Sequence, residues 1–430
     1  MGLDHWRKNE DIVQRKWYQS DSGWLIRLRP TLAKVEYLKR CHQLDPTHFN
    51  NISDKKWDLL VVDRMFNPQS AIFLDQSDKP KFPTILFATN LPVLVDRRNQ
   101  GLPVNPILQT PLWDPKYDMK VLSHRLKQLV AFLSDIGEQY FIRFYTFITL
   151  YPLLRFSQTV DQMANQAVLF FHRELESVGE PDPTSLTTLS IIEGKCPEIK
   201  DKSLPTDLLD FIEDPSSKGT VLAAFGHFVY FKAVPTKAVE AIYKAFSSLS
   251  QYRFIWQYDG PQLPPQSNIF FSEWIPQPAI LAHPKTKVFM SHSGVKSSKE
   301  CICSAVSMLC FPVSHDQFFF GTVICNLAKA GRLVHKLEFN ETTLAETLID
   351  LLENETYLRN MERLNSVMTH KLRDPLDLAV HKLEQLTKNA TNILQLMELR
   401  GKHLSSFTYF CTDMIVLFVT LILAIIRLIK

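Results

Sequence analysis

No C-x-x-C pair occurs in this 430-residue chain, although it carries seven cysteines. A zinc ribbon needs two such pairs, so that class is excluded. Cys301 and Cys303 flank a single residue and diverge on a helix. An odd count also argues against a complete disulfide framework, so most of the cysteines are expected to be small buried apolar residues. A long basic run is absent too. The 48 Lys and Arg residues are scattered among 45 acids for a net charge of +3, which gives no reason to expect nucleic acid as a partner. Nor is there an apolar h-region near the start. Residues 1–30 hold Asp4, Arg7, Lys8, Glu10, Asp11, Arg15, Lys16 and Asp21, so no signal peptide is read there. Internal repeats and low-complexity tracts are missing as well.

What is present suits a globular protein of two ordinary domains, each with its own core. The last residues differ from the rest. Phe407 to Ile426 is nearly continuous apolar sequence, broken by Thr and by Asp413, and Arg427 closes it. A run of about 20 apolar residues spans a bilayer core, so 407–427 is expected to be a transmembrane helix. Phe407, Tyr409 and Phe410 would form its interfacial belt. Four N-x-[ST] sequons start at Asn51, Asn340, Asn354 and Asn389 and lean toward a lumenal location.

Short apolar runs mark strands. WDLLVVD (57–63) reads as a buried strand with Asp63 at its carboxyl end, and TILFA (84–88) as a second. Residues 119–174 are helical in character and aromatic, with Tyr140, Phe141, Phe144, Tyr145, Phe147, Tyr151, Phe156, Phe170 and Phe171. They form either a helical core or an apolar pocket for a lipophilic ligand. A Pro-rich linker follows over 181–205. Strands are then expected at 220–225, 252–257, 269–271, 287–290 and 308–311. Helices are expected at 233–249, from 297 and over 318–330. Strand and helix alternate at the spacing of a parallel, doubly wound sheet. Residues 343–399 read as charged helices.

Several residues in the second half have chemistry that a ligand could use. Trp274 offers a flat indole on which a uracil could stack. Gln277 can donate and accept beside it. His292 to Ser297 joins a strand to a helix start, where N–H groups and the helix dipole favour a diphosphate, and Gly294 permits close backbone approach. Gly226 ends a strand, so its loop can approach the same phosphates. Glu300 lies three residues after Ser297, a spacing that fits either a capping box or an acceptor for ribose hydroxyls.

From Trp274 to Gln317 the chain reads WIPQPAILAHPKTKVFMSHSGVKSSKECICSAVSMLCFPVSHDQ. This resembles the signature of the UDP-glycosyltransferases, of the membrane-anchored UDP-glucuronosyltransferase type: W-x-P-Q, then T-H-G-G-x-N-S-x-x-E, then a late D-Q. AAFGH upstream resembles the family's S-F-G-S turn. The resemblance runs from about residue 50 to the apolar end. It implies a GT-B architecture: two Rossmann-like α/β domains facing a cleft, with the N-terminal one incomplete. Residues 1–195 would be a partial acceptor-binding domain, and 196–400 a UDP-sugar-binding domain with returning helices. The implied donor-binding residues are Gly226, His227, Trp274, Gln277, His292, Gly294, Ser297, Glu300, Asp316 and Gln317, the last two on the sugar hydroxyls. The implied reaction is metal-independent, cofactor-free inverting transfer of glucuronic acid or glucose from a UDP-sugar to a lipophilic hydroxyl. Asp63 matches the family's catalytic Asp, which orients a His base. As a bland alternative, a strand-end Asp caps the next helix.

The pattern also departs from the family. No counterpart of the catalytic His is visible; His5, His42 and His48 lie in unmatched contexts. Ser293 replaces a Gly, Lys296 an Asn, His227 a Ser, Ser307 a Pro and Phe320 a polar Asn. Two outcomes follow as expectations: an endoplasmic-reticulum membrane enzyme, its bulk lumenal if a signal peptide exists in the full-length protein, or an inactive family member. The latter would bind UDP-sugar or partner subunits in homo- or hetero-oligomers.

Overall fold

The computed structural model describes residues 24–55, 57–64, 83–88, 94–107, 117–153, 167–176, 178, 185–199, 203–226, 229–314, 316–388 and 399–429. The first half begins with α1 (Trp24–Leu44) and α2 (Pro46–Ser53), then β1 (Leu60–Asp63), β2 (Thr84–Phe87), α3 (Leu94–Asn99), α4 (Leu122–Leu150), β3 (Leu169–His172) and β4 (Thr188–Ser190). The four strands form a parallel sheet in the order β1-β2-β3-β4. Two strands were not expected. LFFH of β3 lies inside the stretch read as helix, and TLS of β4 inside the stretch read as linker. A four-residue apolar run carries too few residues to show a period. Here backbone pairing with β2 decides, and Leu169 and Phe170 are fully buried.

The aromatic stretch behaves as neither reading alone would have it. Among its described residues only α4 is helical, and it buries Gln128, Phe132, Thr146 and Leu150 while leaving Leu126, Leu133, Tyr140, Phe141, Phe144 and Phe147 exposed. Leu150 packs on Val35 and Leu38 of α1. Phe156 lies outside the described residues.

The second half runs α5 (Thr206–Glu213), β5 (Thr220–Ala224), α6 (Thr236–Ser248), β6 (Arg253–Gln257), β7 (Ile269–Ser272), α7 (Gln277–Leu281), β8 (Thr286–Ser291), α8 (Val295–Cys303), β9 (Ser307–Cys310), α9 (Gln317–Thr322) and β10 (Gly331–Leu333). All six strands are parallel, in the order β10-β9-β8-β5-β6-β7. The order reverses between β5 and β8, and such a reversal opens a crevice at the strands' carboxyl ends. Alternation along β5 sends Val221 and Ala223 into one core and Leu222 and Ala224 into the other, so helices cover both faces. Phe320 is fully buried in the second core, worth about 1.5–3 kcal/mol of burial. It is a packing residue where the family has a polar one.

Three helices follow: α10 (Glu341–Glu353), α11 (Thr356–Thr369) and α12 (Pro375–Thr387). The sequons at Asn340 and Asn354 serve as local caps. Asn340 Oδ1 accepts from Thr343 N–H at 3.0 Å, and Asn354 Oδ1 from Thr356 N–H at 3.1 Å. Helix α12 returns to the first sheet, where Ala379 and Leu386 pack with Ile85, Leu169 and Phe171. Asn389 lies outside the described residues.

The expected span 407–427 is not one helix. α13 (Ser406–Tyr409) is separated from α14 (Thr412–Ile429) by a turn at Cys411, whose φ of 53° breaks the helix. Tyr409 and Phe410, expected as an interfacial belt, are tied to the body: Arg98 lies over the Tyr409 ring, and Phe410 meets Phe132 edge-on at 5.9 Å. Among the described residues no helix is long and apolar enough to cross a membrane. The 18 residues of α14 rise about 27 Å against a bilayer core of about 30 Å. Its side chains from Met414 to Ile426 are exposed all round.

The cysteines correct another expectation. Cys196 and Cys303, 107 residues apart, form a disulfide. Cys301, Cys310 and Cys325 are buried thiols, as expected, and burial raises Cys301 and Cys325 well above the usual thiol range.

Candidate active site

The crevice at the sheet reversal is built from two glycines and a histidine. β5 delivers Gly226 with φ +66°, and β8 delivers His292, Ser293 and Gly294. The His292 ring lies between the glycines. A Cβ at Gly226 would stand 2.9 Å from its Cε1, and one at Gly294 would collide with the same ring. Glycine at both positions is what lets the imidazole fit. Burial lowers the His292 pKa to about 4, so the ring is neutral at pH 7. Its Nδ1 lies 3.4 Å from the Ser291 hydroxyl.

Gly294 also caps α8, a helix of nine residues. The helix starts at Val295, two residues earlier than the sequence suggests, and its first N–H groups face the crevice end of the sheet. Ser293 takes a φ of 63°, and its buried hydroxyl has no hydrogen-bond partner. That hydroxyl lies 3.7 Å from where a Cβ on Gly321 would stand, against α9. The Ser298 hydroxyl is likewise buried and unpartnered.

A second group forms on the outer turn of α8. Gln277 Nε2 donates to Glu300 Oε2 at 2.6 Å and reaches Ser297 Oγ at 3.5 Å. Because Gly294 is the N-cap, the capping-box reading of Ser297 and Glu300 fails. The carboxylate is oriented by an amide from α7 instead. Glu300 keeps acceptor capacity for a hydroxyl-bearing ligand. Trp274 stands on the loop between β7 and α7 with its indole 71% exposed. It is a large apolar surface three residues before Gln277, the first residue of α7.

Asp316 and Gln317 open α9 beyond β9. Burial pushes the Asp316 carboxyl up to about 6. Gln317 turns inward: its Oε1 accepts from the Val313 and Ser314 amides at 2.8 Å each. It therefore fixes the loop before α9, a role no sequence signal announces. His227 lies outside the described residues.

The first sheet holds Asp63 apart from this group. It ends β1, half-buried, in the field of Lys34 and Arg173. His42 and His48 both lie against Phe49, at 5.8 and 6.0 Å between ring centroids. His5 lies outside the described residues. A histidine that sequence reasoning passed over, His172, closes β3. It is 3% exposed, and burial lowers its pKa to about 3. Its neighbours are Glu176 at 3.7 Å and Glu174 at 4.0 Å, and Glu174 is held by Arg97 at 3.0 and 2.9 Å. Buried and neutral, it packs against Phe170 and is closed to an incoming ligand. Among the described residues no cluster of His, Cys, Asp and Glu could hold a metal ion.

Known proteins are similar to this chain. UDP-glycosyltransferase UGT5 of Dactylopius coccus is 27% identical over 352 residues, covering 78% of this chain and 63% of that protein. UDP-glucuronosyltransferase 1A9 of Mus musculus is 25% identical over 351 residues, covering 78% and 64%. The chain thus spans just under two thirds of these relatives. Among solved structures, the glycotransferase of kitacinnamycin matches with a TM-score of 0.55 at 13% identity, covering 85% of this chain and 83% of that one. UDP-glucose: anthocyanidin 3-O-glucosyltransferase in complex with UDP matches with a TM-score of 0.53 at 17% identity, covering 79% and 77%. These likenesses establish the fold as that of GT-B glycosyltransferases, with parallel α/β sheets. The profile of one family, UDP-glucoronosyl and UDP-glucosyl transferase, matches residues 18–430. On that match over nearly its whole length, this chain belongs to the UDP-glucoronosyl and UDP-glucosyl transferase family.

Proposed function

We propose that the chain binds a UDP-sugar in the second sheet's crevice and transfers the hexosyl group, glucuronic acid or glucose, to a lipophilic hydroxyl acceptor. One observation carries the reading: the Gly226–His292–Gly294 nest lies at the start of α8, and the Gln277–Glu300 pair lies less than two turns further along the same helix. That separation suits the ribose and the diphosphate of one nucleotide. Trp274 would stack on the uracil, and neutral His292 and the α8 amides would hold the diphosphate. Charge developing on departing UDP would be held at the same helix end, without a metal. Asp316 would accept from the sugar. The division at about residues 195 and 196 separates the two sheets and fits an acceptor half and a donor half.

The test is UDP titration of the parent and of Trp274→Ala. Loss of stacking weakens binding by about 1–3 kcal/mol. Equal affinities would refute the assignment of the indole.

A second reading is an inactive member that binds UDP-sugar or partner subunits. It is favoured by Ser293, which stands at φ 63° where the family signature has a glycine, so the turn at the diphosphate site carries strain. Binding of UDP-hexose without any turnover in a panel of lipophilic alcohols would select it.

We also place α14 in a membrane, with the bulk of the chain in the lumen of the endoplasmic reticulum. Its all-round exposed apolar surface and the exposed aromatics of α4 support this. A variant ending before Ser406 that stayed in the membrane fraction would exclude α14 as the anchor.

A further inference from the structure

The segment between the two sheets is fastened at successive residues. Buried Glu193 pairs with Lys371. Gly194 N–H donates to Met368 O at 3.0 Å, and Lys195 N–H to Asp374 Oδ2 at 2.8 Å. Gly194 has φ +102°, and a Cβ there would stand 2.8 Å from the Asp374 carboxylate, so only glycine suits the turn. The next residue, Cys196, is bonded to Cys303, the last residue of α8.

Cys303 lies three residues after Glu300 and so shares its side of the helix. The bond therefore brings the linker onto the flank of α8 that carries Glu300. There Pro197, Glu198 and Ile199 form one wall of a cleft of about 370 Å³, facing Pro276, Ala279 and Glu300. The size is that of a small-ligand pocket. Pro197 and Glu198 are exposed and belong to no helix or strand. Of the fastenings above, the covalent tie at Cys196 stands nearest to them.

We propose that the Cys196–Cys303 disulfide is a positioning device of the donor site. It holds Pro197–Ile199 opposite Glu300 as a wall for the nucleoside end of the donor, and nucleotide affinity requires the bond to be closed. The inference rests on the nucleotide reading above and deepens it. Two prolines and an isoleucine give that end an apolar surface, and Glu300 gives it an acceptor for hydroxyls. With the bond open, the three linker residues must be ordered at the moment of binding, which costs affinity.

A dithiol reductant opens the bond in a balanced way. One thiolate attacks a protein sulfur to give a mixed disulfide, and the reagent's second thiolate then displaces it. Two electrons and two protons pass to the protein, which ends as two thiols, and the reagent ends as a cyclic disulfide.

The experiment uses the full chain in detergent and titrates UDP by calorimetry before and after dithiothreitol. The double variant Cys196→Ser/Cys303→Ser and Trp274→Ala run alongside. Reduction is expected to weaken UDP binding about tenfold. The double variant should start at the weakened affinity and ignore reductant. Where turnover is measurable, KM for the donor should rise with kcat unchanged.

Equal affinity in the oxidised and reduced parent overturns the proposal, as does a double variant that still loses affinity on reduction. So do free thiols at both positions in the oxidised protein. Should the double variant not fold, reduction of the parent decides alone. Unchanged binding on reduction, with the Trp274→Ala effect intact, removes the disulfide's role and leaves the nucleotide site standing. Absence of UDP binding in the oxidised parent removes both.

Discussion

Ser293→Gly should raise stability, although it shortens a buried side chain at the heart of the site. Ser293 is held at φ 63°. For a residue with a Cβ that conformation costs about 1–2 kcal/mol. Its hydroxyl is buried without a partner, and relief of such a group is worth about 1–3 kcal/mol. Against this stand the extra freedom of glycine in the unfolded chain, about 0.5–1 kcal/mol, and the lost packing of one carbon, about 0.8 kcal/mol. The net gain is about 1–3 kcal/mol, or a rise of several degrees in Tm for a domain of this size, at about 2–4 °C per kcal/mol. Thermal unfolding without nucleotide reads it directly. Ser293→Ala separates the two sources, because it removes the hydroxyl and keeps the strain; its gain should be the smaller. UDP affinity should hold in both variants, since the hydroxyl faces Gly321. A lower Tm for Ser293→Gly would refute the strain argument, and a lower UDP affinity would show that the hydroxyl meets the ligand.

His292 makes stability depend on pH. The unfolded imidazole binds a proton near 6.5, whereas burial delays this to about 4 in the folded chain. Between those values the unfolded state holds more protons, so stability falls as pH falls from 6.5 toward 4. Urea unfolding should show a loss of about 2 kcal/mol from this group between about pH 7.5 and pH 5. His292→Gln should flatten that limb, and an unchanged slope would contradict the burial argument. Asp316 acts on the ligand instead. With its carboxyl raised to about 6, it is a good acceptor only above that pH. The preference for UDP-glucose over UDP should therefore grow as pH rises through about 6, and should be flat with pH in Asp316→Asn. A flat ratio in the parent would remove Asp316 from the sugar site.

Much of the second sheet was legible because its strands are continuous apolar runs ended by Gly226 or by the His292-Ser293-Gly294 turn. The first sheet was less so. LFFH of β3 follows a long aromatic helix, and so short a run looks alike in either conformation. TLS of β4 has three residues, and only pairing with β3 makes it a strand. Within the site, Trp274, Gln277 and Glu300 could be named from resemblance, but spacing alone cannot say that a residue 23 positions away hydrogen-bonds to Glu300. The disulfide had no local signal, because its partners are 107 residues apart. The inward turn of Gln317 is a matter of loop geometry that residue type leaves open.

The chain leaves the first sheet through 193–199 and comes back through 368–375, and these two passages are bonded to each other side by side. A side chain at Gly194 would disturb both passages at once, because its N–H and the space its missing Cβ leaves are both taken up by the returning stretch.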